Sequence, residues 1–188
     1  MAFPAFLDTC VLYGANLNDT LLRIAEEDAF SPQWSPDVVE ELRRNLSMIP
    51  NLPAGAADRR VKAMTDAFPE AMVEGYEPLI PIMTCDPKDR HVLAAAVHSD
   101  SQVLVTFNLD DFPTSSLAGF EITAVHPDDF LLDQLDLHPE KVARSMIRQV
   151  DEATRPTLTM ADLLQRLSRA GVPRFAAECQ RRPFSSAT

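Results

Sequence analysis

The chain has 188 residues, of which 46% are hydrophobic and 24% are charged. A chain of this length and composition can bury the core of one compact domain with a small appendage, so we expect no second enzyme domain. The formal net charge of −11 excludes a protein that binds nucleic acid through a broad cationic surface, because neutralising phosphates requires clustered lysine and arginine.

The charge is divided unevenly along the chain. Residues 1–136 carry 23 acidic against 8 basic side chains, whereas residues 137–188 carry 5 against 9. We therefore predict a first domain over residues 1–136 and a basic helical C-terminal extension over residues 137–188. Lys141, Arg144 and Arg148 would form a basic stripe on a helix of the extension. An ordinary solvated helix face explains this stripe better than a nucleic-acid contact does.

The N-terminus and the cysteines indicate where the protein works. The segment before Asp8 has no basic leader and is interrupted by Pro4, so it predicts a strand rather than a signal peptide. No stretch approaches the roughly 20 apolar residues that a membrane-spanning helix needs. The three cysteines are an odd number without paired spacing, which favours a reducing compartment and predicts no zinc site. We expect a cytoplasmic protein with no membrane contact.

Hydrophobic patterns predict strands that alternate with helices, as in a parallel sheet. The predicted strands are 3–8, a short one around 33–34, 102–106 and 121–125. The predicted helices are 19–29, 36–48, 56–68, 88–99 and 127–135, followed by 139–150, 159–170 and 173–180 in the extension. We therefore expect a three-layer α/β/α domain with a central, mainly parallel sheet. The apolar faces of the last three helices pack either on the core or on another chain, and the sequence leaves both possibilities open.

Two acidic side chains of the first part of the chain are candidates for a site. Asp8 directly follows a buried apolar strand, which is where open parallel sheets place their ligands. Glu41 lies three residues after Val38, beside the apolar stripe of its helix, whereas Glu40 points toward water. Glu41 is therefore the better candidate of that pair.

Two further acidic candidates lie in the second half of the predicted domain. Asp86 is placed to cap a helix that begins at Pro87, whereas Asp89 precedes the buried stripe of that helix and so turns inward. Asp111 belongs to a polar run that follows the apolar strand 102–106. Carboxylates that gather closely repel each other without a cation, and hard oxygen ligands select Mg²⁺ or Mn²⁺. The pattern therefore predicts a metal-dependent nuclease.

Four segments resemble, in order and spacing, the acidic motifs of PIN-domain ribonucleases. They read LDTCVL, VVEEL, DPKDRHVLAAAV and VTFNLDDF, and the resemblance covers about residues 3–130. The best-populated branch of that family consists of the VapC-type toxins of type II bacterial toxin–antitoxin pairs. The resemblance implies a PIN fold and an endoribonuclease that requires Mg²⁺ or Mn²⁺. It also implies an RNA substrate, a cognate antitoxin protein and a homodimer.

The resemblance assigns roles to individual residues. The predicted catalytic residues are Asp8, Glu41, Asp89, Asp111 and, at the first polar position of the last motif, Asn108. The predicted metal ligands are Asp8, Asp89 and Asp111, of which Asp8 and Asp89 bind directly or through water. Glu41 and Asp111 would complete the pocket as outer ligands or orient the attacking water. Thr106 is the predicted supporting hydroxyl. The candidate RNA contacts flank the acidic positions and are Arg43, Arg44, Lys88 and Arg90.

The sequence departs from the family pattern at two positions. Cys10 stands where the family commonly has Asn or Ser, so we expect a hydrogen bond that steadies the first aspartate to be missing. Asn108 stands where many members have Asp, which lowers the charge of the site and weakens a second metal. These departures keep open the alternative of a catalytically inactive PIN-fold module that binds protein or RNA. A phosphatase with an aspartate nucleophile ranks last, because position 10 lacks the second aspartate that such enzymes use as an acid.

Overall fold

The structure of the protein is a computed structural model that describes residues 2–154 and 157–182. The described residues form four strands, namely β1 (Pro4–Leu7), β2 (Ser31–Gln33), β3 (Val103–Val105) and β4 (Thr123–Val125). They also form ten α-helices, namely α1 (Thr9–Tyr13), α2 (Ala15–Glu26), α3 (Pro36–Ser47), α4 (Ala56–Ala67), α5 (Arg90–His98), α6 (Thr114–Leu117), α7 (Pro127–Leu137), α8 (Pro139–Glu152), α9 (Met160–Arg169) and α10 (Pro173–Arg181). Short 3₁₀ helices lie at Pro69–Ala71, Glu77–Ile82, Pro87–Asp89 and Leu109–Asp111. None of the described helices is long and apolar enough to cross a membrane.

The four strands form one parallel sheet in the order β2-β1-β3-β4. The central pair carries continuous apolar runs, and Phe6, Leu7, Leu104 and Val105 are fully buried. Such runs are typical of parallel strands that are covered on both faces, in contrast to the alternating pattern of a half-exposed strand. The predicted fold class, an α/β fold with a central parallel sheet flanked by helices, is confirmed.

The chain divides into two compact units. The sheet unit consists of Phe3–Tyr13 and Ser31–Val125, and it contains all four strands. The helical unit contains Gly14–Phe30 together with the described residues from His126 onward. It therefore combines α2 with α7 to α10. The functional division between residues 1–136 and 137–188 stays a prediction.

Two predicted helices have different boundaries in the structure. The helix expected over 19–29 spans Ala15–Glu26, and the chain leaves the helix at Asp28, whose φ of 58° lies in the left-handed region. The helix expected over 88–99 begins as the 3₁₀ turn Pro87–Asp89, and α5 follows it. The short helix α1 was not predicted, because five residues are too few to display a helical period.

The basic stripe of α8 contacts the end of α2 within the helical unit. The Lys141 ammonium donates a hydrogen bond to the Asp28 carbonyl at 2.9 Å, and Arg144 donates to the Glu27 carboxylate at 3.0 Å. Arg148 pairs with the carboxylate of Glu26. These three cations are therefore engaged by the protein itself, which agrees with an ordinary helix surface.

The apolar faces of the C-terminal helices are covered to different degrees. Met146, Leu163 and Leu167 are fully buried within the helical unit. Ile147 and Leu164 are partly exposed, and they line a groove formed by α8, α9 and α10. The helices therefore bury part of their apolar faces against one another, and other apolar side chains line the groove.

Asp128 of α7 caps the beginning of α10. Its two carboxylate oxygens accept hydrogen bonds from the backbone N–H groups of Arg174 at 3.1 Å and Phe175 at 2.8 Å. The first N–H groups of a helix have no partner inside that helix, so they need an acceptor from elsewhere. Asp128 is only 4% exposed and supplies it.

We expect Asp128→Ala to lower the free energy of unfolding by about 1–3 kcal/mol, because the buried N–H of Phe175 and the part-buried N–H of Arg174 lose their acceptor. Urea unfolding of the full chain, followed by circular dichroism, measures this change. Asp133→Ala is the matched control, since Asp133 is exposed on the same helix; it should change stability by less than about 0.5 kcal/mol. Equal losses in the two variants would contradict the capping role.

Candidate active site

A cavity of about 750 Å³ opens in the sheet unit where β1 and β3 end. The carboxylates of Asp8, Glu41 and Asp89 line it together with the amide of Asn108. Asp8 follows β1 directly, and Asn108 follows β3 after two residues of loop. Because the carboxyl ends of parallel strands meet at one edge of a sheet, this topology brings together residues that are about 100 positions apart.

Asp8 is held in one orientation by a buried hydroxyl. Its backbone N–H donates to the Val105 carbonyl at 3.1 Å, which extends the pairing of β1 with β3 by one residue. The Thr106 hydroxyl donates to Asp8 Oδ2 at 2.7 Å, and the same oxygen of Thr106 accepts the backbone N–H of Asn108 at 3.0 Å. Thr106 is fully buried. One hydroxyl therefore fixes both the first carboxylate and the loop that follows β3.

Cys10 supplies a second hydrogen bond to Asp8. Its Sγ lies 3.2 Å from Asp8 Oδ2 and accepts the backbone N–H of Phe107 at 3.3 Å. Burial, together with the nearby charge of Asp8, raises the pKa of the thiol to about 12. The thiol stays protonated at neutral pH and can donate. The expectation that this steadying hydrogen bond is missing is therefore wrong, because a thiol replaces the usual amide or hydroxyl.

Glu41 is fixed by the residue that follows the first aspartate. The Thr9 hydroxyl donates to Glu41 Oε2 at 2.9 Å and thereby joins the start of α1 to the middle of α3. Glu40, the neighbouring carboxylate, is exposed and pairs with Arg43 at 3.3 Å. Glu41 therefore turns into the cavity and Glu40 turns away from it.

Asp89 is the least compensated carboxylate of the cavity. Its side chain is 18% exposed, and Oδ2 is buried without a hydrogen-bond partner. The nearest cation is the Lys88 ammonium, 3.7 Å from Oδ2, which is beyond hydrogen-bond range. Burial raises the pKa of Asp89 to about 6; the carboxylates of Asp111 and Asp8 also raise it, and Lys88 opposes them. Negative charge at this position is therefore costly.

Asp111 lies beside the cavity and is not among the residues that line it. Lys88 Nζ donates to Asp111 Oδ2 at 3.2 Å. The backbone N–H of Asp86 donates to the Asp111 carbonyl at 3.2 Å, so the two acidic segments are also joined through their main chains. The structure therefore places Asp111 next to the other carboxylates but already paired with a cation.

The four candidate RNA contacts differ in position. Arg44 and Lys88 line the cavity. Arg43 pairs instead with Glu40 and, at 3.4 Å, with Asp58. Arg90 does not line the cavity, and its Nε is buried without a hydrogen-bond partner. Only two of the four cations therefore face the same space as the carboxylates.

The donor set fits a hard divalent cation, although it does not form a complete cage. Over residues 2–154 and 157–182, no group of three or more His, Cys, Asp or Glu side chains is arranged to hold a metal ion by itself. Mg²⁺ usually keeps several waters and is bound by one or two carboxylates plus substrate phosphates, so it needs no such cage. Asp8 and Asp89 can supply those carboxylates, and Oδ2 of Asp89 accepts no hydrogen bond within the described residues.

Several residues that line the cavity were missed by the sequence reasoning. They are Thr9, Tyr13, Asn45, Met48 and His91. Asn45 follows Glu41 by four residues on α3, so helical spacing alone could have placed it on the same face. Tyr13 depends on α1, which the sequence pattern did not reveal.

A parallel sheet with carboxylates gathered where its central strands end defines a PIN-like α/β domain. The model of the PIN domain matches residues 4–110, which is more than half of the chain, and the chain belongs to the PIN domain family. A second family model, described as the VapC50 C-terminal domain, matches residues 127–181. That match lies in the part of the chain that the structure assigns to the helical unit.

The chain is also similar to the candidate ribonuclease VapC50 of Mycobacterium tuberculosis. The two sequences are 47% identical over 111 residues, which cover 59% of this chain and 65% of that relative. The chain therefore spans less than two thirds of the length of the relative in this match. No solved structure matches the chain significantly.

We expect Thr106→Val to lower the free energy of unfolding by about 1–3 kcal/mol, because the substitution keeps the shape but leaves Asp8 Oδ2 and the Asn108 N–H without the hydroxyl. Urea unfolding measures the change. Thr65→Val is the control, since the Thr65 hydroxyl bonds only to carbonyls of its own helix. A Thr106 variant as stable as this control would show that the hydroxyl does not hold the strand ends together.

The raised pKa of Asp89 predicts a pH-dependent difference between the wild-type protein and Asp89→Asn. The folded-state pKa of about 6 lies above the ordinary value of 3.8, so the folded chain holds the proton more tightly. The stability of the wild type should therefore fall, relative to the neutral variant, as pH rises from about 4 to about 6. Above this window Asp89→Asn should be the more stable protein when divalent ions are removed.

Urea unfolding at several pH values, in the presence of a chelator, tests this expectation. The control is Asp110→Asn, because Asp110 is an exposed carboxylate of the neighbouring 3₁₀ turn. It should give no comparable difference across the same pH range. A constant offset between wild type and Asp89→Asn at every pH would contradict the assignment.

Proposed function

We propose that the protein is a metal-dependent endoribonuclease that hydrolyses RNA phosphodiester bonds. The observation that carries this proposal is the meeting of Asp8 and Asp89 in one cavity, with Oδ2 of Asp89 buried and without a partner. Membership of the PIN domain family and similarity to a candidate ribonuclease support the same conclusion. The proposed cofactor is Mg²⁺ or Mn²⁺, since the available donors are carboxylate oxygens.

Each carboxylate has a distinct role in the proposed reaction. Oδ2 of Asp8 already accepts two hydrogen bonds, so Oδ1 is the oxygen that remains for a cation. Oδ2 of Asp89 is the second ligand. Glu41 keeps Oε2 on Thr9 and can use Oε1 to accept a proton from the attacking water. When bound, the metal ion supplies the positive charge that stabilises the phosphate as the strand is cut.

The side chains that would position the RNA are few. Arg44 lines the cavity and is the strongest candidate to contact a phosphate next to the scissile bond. Lys88 and Asn108 line the same space, and the Thr106 hydroxyl accepts the backbone N–H of Asn108. Arg43 and Arg90 contribute less to this proposal, because neither lines the cavity. The substrate would therefore be held mainly by the metal ion and a small number of direct contacts.

We also propose that this nuclease is the toxin of a toxin–antitoxin pair, acts in the cytoplasm as a homodimer and is silenced by a cognate antitoxin protein. The 47% identity to VapC50 over 111 residues and the match of residues 127–181 to the VapC50 C-terminal domain support this assignment. A short neighbouring gene that encodes a DNA-binding protein would support the pair. An isolated gene would favour a nuclease without an antitoxin.

The decisive experiment is cleavage of total cellular RNA by the purified full chain. With Mg²⁺ or Mn²⁺ we expect discrete cuts, and with EDTA we expect none. Asp8→Asn and Asp89→Asn should each reduce the rate by at least about 100-fold, because each removes a ligand of an ion that contributes several kcal/mol to the reaction. Asp110→Asn, which changes an exposed carboxylate close to the site, is the control and should cut at the normal rate.

The outcomes separate the candidate functions. RNA cleavage by metal-stripped protein, or equal cleavage by wild type and Asp8→Asn, would overturn the proposed mechanism. A folded protein that binds metal but cuts no RNA would favour a PIN-fold binding module, the alternative raised by Asn108.

A further inference from the structure

The ammonium group of Lys88 lies between two carboxylates of the candidate site. It donates a hydrogen bond to Asp111 Oδ2 at 3.2 Å and lies 3.7 Å from Asp89 Oδ2. The second distance is too long for a hydrogen bond but still within the range of an ion pair, which solvent screens because the lysine side chain is exposed. Lys88 is thus a cation of the protein itself at a place where carboxylates would otherwise attract a metal ion.

The main chain around Lys88 is fixed on both sides. Its backbone N–H donates to Asp86 Oδ1 at 3.1 Å, and the Asp89 N–H donates to the Asp86 carbonyl at 2.9 Å. Asp86 in turn donates its N–H to the Asp111 carbonyl at 3.2 Å. The segment that carries Lys88 is therefore attached to the segment that carries Asp111 independently of the lysine side chain. The pairing of Lys88 with Asp111 follows from this attachment.

From these observations, and resting on the proposed function, we propose that Lys88 acts as an internal counter-ion. Its ion pair with Asp111 keeps that carboxylate from binding a metal ion and so limits the site to one divalent ion. An ammonium group and a divalent cation repel each other and compete for the same carboxylate oxygens. Asp8 and Asp89 remain available for the ion, whereas Asp111 is satisfied by Lys88. The protein thereby uses a side chain where a second metal ion could otherwise bind.

The role of counter-ion also explains an imbalance among the carboxylates. Asp8 is stabilised by Thr106 and Cys10, and Asp111 is stabilised by Lys88. Asp89 alone keeps a buried oxygen without a hydrogen-bond partner. Asp89 would therefore gain from a bound cation, whereas Asp111 already has one in Lys88.

The test is the number of Mn²⁺ ions that the purified full chain binds, measured by titration calorimetry and by electron paramagnetic resonance. We expect one ion in the wild type and two in Lys88→Met. Two ions bound by neighbouring carboxylates lie roughly 3.5–4 Å apart, so their signals should be magnetically coupled in the variant. In the double variant Lys88→Met/Asp111→Asn, the second ion should be lost again.

Lys62→Met is the matched control. Lys62 also pairs with a carboxylate, Asp66, at 2.7 Å, and both lysines are well exposed. The control removes the same charge from the sheet unit at a residue that does not line the cavity, and it should bind one ion like the wild type. Two ions in this control would mean that the net charge of the protein, and not Lys88, determines how many Mn²⁺ ions bind.

The proposal is overturned if Lys88→Met still binds one ion, if the wild type binds two or none, or if the second ion survives in the double variant. RNA cleavage by the wild type, measured in the same Mn²⁺ solution, separates this result from the proposed function. A wild type that binds one ion without cutting RNA, together with two ions in Lys88→Met, would reject the nuclease and support the role of Lys88. One ion in every variant, with RNA cleavage by the wild type, would reject the role of Lys88 and support the nuclease.

Discussion

The candidate site depends on one buried hydrogen bond, from the Thr106 hydroxyl to the Asp8 carboxylate. It joins the ends of two neighbouring parallel strands that are separated by 98 positions in the sequence. Because the same hydroxyl also accepts the Asn108 N–H, it fixes the loop that follows β3 as well as the carboxylate that follows β1. Burying a carboxylate is costly unless hydrogen-bond donors replace its lost hydration. The Thr106 hydroxyl supplies such a donor at the edge of the apolar sheet.

The other carboxylates are added to this fixed pair at an electrostatic cost. Glu41 is tied to Thr9, and Asp111 is tied to Lys88. Asp89 has no equivalent donor, and the consequence is a pKa raised to about 6, chiefly by burial. Among these carboxylates, the buried oxygen that lacks a hydrogen-bond donor is therefore Oδ2 of Asp89. A divalent cation bound there would relieve both the burial cost and the repulsion, and this carboxylate, rather than the acidic composition, is the basis of the proposed metal site.

The sequence was sufficient for the features that depend on short-range pattern. Apolar runs predicted the four strands and a parallel sheet, although not the order of the strands in that sheet. The sequence could not show that the Cys10 thiol bonds to Asp8, since that contact depends on where the Phe107 backbone comes to lie. It also could not show that the Lys88 ammonium donates a hydrogen bond to Asp111. Both facts require the distances between segments that only the folded chain defines.

The charge distribution of the folded chain limits how RNA can be held. The basic stripe of α8 is neutralised within the helical unit, where Arg144 pairs with Glu27 and Arg148 pairs with Glu26. In the sheet unit, Lys88 is engaged by Asp111, which leaves Arg44 as the principal cation of the cavity. Binding through the release of many counterions needs many such cations, so it can contribute little here. In the proposed nuclease, recognition of RNA would instead rest on the divalent ion and on the shape of the cavity, and metal binding would then be a condition for substrate binding as well as for catalysis.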